Sequence, residues 1–258
     1  MSVTSFVPAP GSRPLVAMVL AHARMETRLL LRNGEQMLLA LVIPLLLLVG
    51  GAEAGGVVDL GAGRRIDVLT PGVMALAVMS SSFTSVAIAT AFERRYGVLK
   101  RLGASHLPRG GLLMGKAASV LVVELVQLVV ISGAALMLGW RPHGGVVAVL
   151  CSGLLVVLGT WAFAALALLM AGSLRAEATL AAANLVYVVL LMAGAVVVPA
   201  SSYPDAMRPI VAALPSGALA EGLRLTLSGT GLGFGHAVVL AIWAAGAALV
   251  TVRTFAWE

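Results

Sequence analysis

The chain has 258 residues, of which 60% are hydrophobic and 11% charged, against roughly 25% charged residues in an ordinary soluble domain. So few polar side chains cannot cover a water-facing surface, which excludes a soluble globular fold and selects an all-α membrane protein. The net charge of +6 lies in short stretches between apolar runs and not on one exposed face, which argues against nucleic acid as a partner.

Segment 14–35 has the pattern of an amphipathic helix. Arg24, Arg28 and Arg32 recur every four residues as one basic stripe, beside apolar Val16, Val19, Leu20, Leu29, Leu30 and Leu31. Such a helix suits the membrane interface, with its stripe near anionic lipid headgroups. It lacks the form of a signal peptide, because the first long apolar run begins only near Gln36.

A helix needs about 20 residues to cross a hydrocarbon core of about 30 Å. Charged residues bound six apolar runs, and transmembrane helices are expected over 36–52, 68–92, 117–140, 146–172, 178–198 and 234–252. Within the external region 199–233, the apolar stretch 209–220 is too short to span and carries Pro209 and Pro215. It reads as a short re-entrant segment before span six.

An even number of spans puts both termini on one side. That side carries twelve Lys and Arg, against five on the other: Arg64, Arg65, Arg141, Arg208 and Arg224. Basic residues stay inside, so both termini and the loop 93–116 are expected to be cytoplasmic.

The loop 93–116 interleaves Tyr96, Leu99, Leu102 and Leu107 with Arg94, Arg95, Lys100 and Arg101, the pattern of a short amphipathic helix fixed to spans two and three. Gly110 to Lys116 satisfies G-x-x-x-x-G-K, but Ala117 stands where a magnesium-binding Ser or Thr belongs and no strand precedes it. No nucleotide site is assigned. Lys116 reads instead as a cation snorkelling at a membrane boundary.

Leu31-Arg32-Asn33-Gly34-Glu35-Gln36 and the following leucine-rich run, together with Glu93, Gly97, Leu99-Lys100-Arg101-Leu102, Leu107-Pro108-Arg109 and Gly115-Lys116, resemble the membrane subunit of type-2 ABC exporters, the ABC-2 permease family. The external prolines 199, 204, 209 and 215 and the C-terminal Arg253 to Glu258 add to the likeness. Val98 and His106 depart from it, where threonine and proline are usual. The resemblance implies a cytoplasmic coupling helix in the loop 93–116. Its contacts with a separate ATP-binding subunit would involve Glu93, Arg94, Gly97, Leu99, Lys100, Arg101 and Leu102. ATP and magnesium would sit on that partner, with no cofactor in this chain, and a second permease copy or a related chain would complete the path. The implied setting is the bacterial cytoplasmic membrane, and the implied cargo a lipophilic or amphipathic drug or lipid moved outward.

Glu124 lies eight residues past Lys116, about 12 Å along the helix. An ionised carboxylate costs roughly 2.5–3.5 kcal/mol at a span centre. It is therefore expected to be protonated, hydrogen-bonded or facing a wet cavity, with Gln127 on the same helix face. Two roles follow, a lining of the translocation path or an interhelical hydrogen bond that fixes packing. Ser81, Thr84 and their hydroxylated neighbours in span two, with Asn184 and Tyr187 in span five, present the same choice.

The sole cysteine, Cys151, excludes an intrachain disulfide and a thiolate metal cluster. Four scattered histidines form no ligand pair, and no G-x-S-x-G turn is present, so neither metal ligands nor catalytic residues are assigned. The alternatives to an ATP-driven permease are a transporter or channel working without an ATPase, and a membrane enzyme or scaffold.

Overall fold

The structure is a computed structural model that describes residues 14–53, 64–104 and 107–255. Among these residues it is helical throughout, with a single bridge between His143 and Ser228. The helices are α1 (Leu15–Arg32), α2 (Gly34–Glu53), α3 (Arg65–Met79), α4 (Val86–Arg95), α5 (Val98–Gly103), α6 (Arg109–Met137), α7 (Gly145–Ser173), α8 (Ala176–Ala193), α9 (Arg208–Ala213), α10 (Pro215–Leu227) and α11 (Phe234–Thr254). A π-helical segment, Ser80–Ser85, joins α3 and α4 into one rod, Arg65–Arg95.

Among the described residues, five helices are long and apolar enough to cross a membrane: Arg65–Arg95, Arg109–Met137, Gly145–Ser173, Ala176–Ala193 and Phe234–Thr254. The helix expected as the first span, α2, contributes a shorter apolar stretch, Ala40–Glu53. Helix α7 is the hub and packs against α11, α10, α4 and α6. Its Phe163, Ala164, Ala165, Ala167, Leu168 and Ala171 are all buried. Alanine at these positions lets neighbouring backbones approach closely, the packing that lipid-embedded bundles favour.

Three boundaries differ from the sequence reading. Helix α6 starts at Arg109 and not at 117, because Pro108 supplies an extended cap residue and the run from Gly110 onward is held by packing on α1 and α11. The expected cytoplasmic segment 93–116 is therefore divided among the end of α4, the six-residue α5 and the first turns of α6. Helix α8 stops at Ala193 and not near 198, since the chain turns at Gly194 and at Ala195, whose φ is 50°. The stretch 209–220 breaks at Leu214, and α10 is buried along nearly its whole length against α3, α7 and α11. His106, which stands where the family pattern has proline, lies outside the described residues, as do Arg13 and residues 256–258.

Candidate functional site

A cleft of about 620 Å³ opens between α2 and α8, with the rod Arg65–Arg95 as its back wall. Ala40, Ile43 and Pro44 line one side, Asn184 and Tyr187 the other, and Leu76, Ser80, Thr84, Ser85, Ile88 and Ala89 the back. Asn33, at the end of α1, borders it. The lining is apolar with hydroxyl and amide groups and carries no formal charge. Thr84, Asn184 and Tyr187, three residues singled out in the sequence, meet here.

The π-helical segment explains the hydroxyl row. Its wider turn displaces the i→i−4 ladder, a distortion often found where a membrane helix binds something. Ser82 Oγ donates to the Val78 carbonyl at 2.5 Å and Ser85 Oγ to Ser80 at 3.3 Å. The Thr84 hydroxyl, on the cleft wall, is enclosed and has no partner among the described residues. Phe83 turns away from the cleft and packs edge-on against Phe163 at 6.5 Å, which anchors the segment to α7.

Glu124 and Gln127 do not line this cleft. Glu124 is 1% exposed and shares a 2.5 Å hydrogen bond with the Thr160 hydroxyl of α7, which also lies 2.8 Å from the Val156 carbonyl of its own turn. Gln127 is fully buried, accepts from Ser81 Oγ at 2.8 Å and donates to the Ala40 carbonyl at 2.9 Å. Pro44 has no N–H for that carbonyl four residues earlier, so Gln127 repairs the break that Pro44 makes in α2. Ser81 is thereby drawn away from the cleft into the α3–α6 contact. In this arrangement the two polar residues of α6 tie helices together.

The residues assigned to ATPase coupling separate into two groups. Glu93 faces inward and meets Lys116 Nζ at 2.9 Å. Arg94 donates to the carbonyls of Ala171 and Gly172 at 3.1 Å each and of Leu174 at 3.3 Å, which caps the end of α7. Leu99 is 0% exposed and Leu102 packs half-buried on the same core. Leu99 thus seats α5 on the bundle and takes no part in its outward surface. Gly97, with φ 72°, takes the left-handed conformation that turns the chain from α4 into α5. The outward surface consists of Tyr96, 70% exposed, Val98, Lys100 and Arg101.

Lys116 is likewise not a snorkelling cation. It is 3% exposed and bridges Glu93 to Glu26 of α1, 3.1 Å away. His22 lies 3.7 Å from Glu26, and burial holds its imidazole below the ordinary range. Glu26 carries no special mark in the sequence, since its partner Lys116 stands 90 positions away. A second buried cation, Arg224 of α10, spans Glu221 and the carbonyls of Val68, Ala195 and Val196. No cluster of three metal-ligating side chains forms among the described residues.

Comparison with known proteins places the arrangement. Residues 17–227 match the family model for the ABC-2 type transporter. The chain is also 26% identical over 255 residues to the probable doxorubicin resistance ABC transporter permease protein DrrC of Mycobacterium tuberculosis, in strains CDC 1551 / Oshkosh and H37Rv; the match covers 93% of this chain and 89% of the relative. The chain, a bundle of apolar helices matched by this family model over most of its length, belongs to the ABC-2 type transporter family, whose members are membrane permeases working with an ATP-binding ABC subunit.

Proposed function

We propose that this chain is the permease of an ATP-driven exporter in the bacterial cytoplasmic membrane, moving a lipophilic or amphipathic drug or lipid outward. A separate subunit carries ATP and magnesium, and a second permease copy or a related chain closes the open side of the cleft. The observation that supports this most is the cleft itself. Its walls offer hydroxyl and amide groups on an apolar surface without a formal charge, a lining that suits an amphipathic ligand held by a few hydrogen bonds. The doxorubicin-resistance relative supports the same class. Both termini lie in the cytoplasm on this reading, and a reporter fused after Gly103 should read inside; an outside signal would overturn that orientation.

The test is substrate-stimulated ATP hydrolysis by the reconstituted complex, over a panel of amphipathic drugs and lipids with doxorubicin included. Asn184→Leu and Tyr187→Phe each remove one polar group from the cleft wall. Each should weaken stimulation by about five- to tenfold, the size of one hydrogen bond. A complex that no amphiphile stimulates, or whose stimulation ignores both substitutions, would contradict the proposal.

A further inference from the structure

Gly115 and Lys116 together form a seat for α1. A Cβ at position 115 would lie 2.3 Å from His22 Cδ2, so only glycine lets the imidazole ring rest on α6. Beside it, Lys116 holds Glu26 of α1 and Glu93 of α4 on one ammonium. Three helices meet at this point. Glu93 stands four residues before Gly97, where the chain turns into α5. In the other direction, Leu30 lies one turn beyond Glu26, and Asn33, just past the end of α1, borders the cleft.

Buried ion pairs are poor devices for stability alone, because desolvation offsets most of their attraction and apolar packing of the same volume does as well or better. They differ from packing in range. A gap of about 0.5–1 Å forfeits a quarter to a half of a dispersion contact, whereas Coulomb attraction falls only as the inverse of distance. An ionic junction therefore stays engaged through a small displacement and pulls its partners along. We infer that Lys116 is a positioning residue that latches α1 to the base of α5, so that a displacement of α5 is carried to the end of the cleft bordered by α1.

The inference rests on the function proposed above, and the experiment separates the two. ATP hydrolysis and ATP-driven doxorubicin uptake are measured on the full complex in inverted vesicles. Glu26→Gln, which leaves Lys116 paired with Glu93, should leave assembly and ATP hydrolysis near wild type and lower the transport per ATP by about tenfold, a coupling effect of ordinary size. Lys116→Met should lower transport per ATP at least as far, with some loss of assembled complex because two buried carboxylates lose their cation. Lys116→Arg, which keeps the charge, should retain most of the coupling. Wild-type transport per ATP in Lys116→Met would overturn the latch alone. Assembly, hydrolysis and transport falling in parallel in both variants would also overturn it, by showing that the cluster only holds the fold. Absence of ATP-driven uptake in the wild type would overturn the proposed function and the latch with it.

Discussion

Arg224→Leu is expected to destabilise the chain by about 3–5 kcal/mol, the usual cost of removing one partner from a buried pair. In a thermal scan of the detergent-solubilised protein this corresponds to a drop of roughly 10 °C. The reason lies in how α8 ends. The turn at Gly194 and Ala195 leaves the carbonyls of Ala195 and Val196 without helical partners. Arg224 reaches them at 2.5 and 2.8 Å, adds the Val68 carbonyl at 3.3 Å, and is balanced by Glu221 at 2.6 Å. Where water is scarce, each carbonyl left bare is costly, and part-buried Glu221 would lose its cation while keeping the Ala200 N–H. Arg224→Lys keeps the charge but lacks the planar fork that reaches several acceptors at once, so its loss should be intermediate. A melting curve for Arg224→Leu that overlays the wild type would show that the end of α8 is held some other way.

Leu99→Asp should have the largest effect on association with the ATP-binding subunit, and it should act through the fold. Helix α5 has only six residues and is held to the bundle by Leu99, with Leu102 partly buried beside it. A carboxylate in place of Leu99 must leave that site, which frees α5 from its seat. Binding measured on variants of verified insertion should weaken by about 2 kcal/mol or more, some thirtyfold. Trypsin should then cut readily at Lys100 and Arg101. Val98→Asp alters the outward surface alone and should weaken binding without new cleavage. Arg101→Glu should weaken it mainly at low salt, as expected of a rim charge. Tight binding by Leu99→Asp would mean that α5 is not the docking element.

The apolar helices and their approximate limits were legible because charges interrupt the apolar runs at almost every boundary, and because lipid leaves the chain few alternatives to helix. Helix α6 starts earlier than expected because the expected span was bounded at the charge of Lys116, whereas packing on α1 carries the helix back through Lys116 to Arg109. The side of α5 that faces inward was not legible, since six residues are too few to define a face. The polar residues of α6 were visible as a stripe, but their partners were not. Only the structure shows that Gln127 serves the carbonyl that Pro44 leaves bare, and that Glu124 meets Thr160. A search for acceptors orphaned by internal prolines would have flagged Ala40. Nothing local pairs Glu26 with Lys116, because ion pairs across helices leave no spacing to read.

On the proposed function, this permease moves an amphipathic substrate only when a separate ATPase works on α5. The most direct test is uptake of doxorubicin into inverted vesicles containing the permease with its ATP-binding subunit, with and without ATP, and with Leu99→Asp in place of the wild type. ATP-dependent uptake is expected of the wild-type complex, with none by the permease alone and none by the Leu99→Asp complex despite normal insertion. Equal uptake by the permease alone, or uptake by the Leu99→Asp complex at the wild-type rate, would contradict that function.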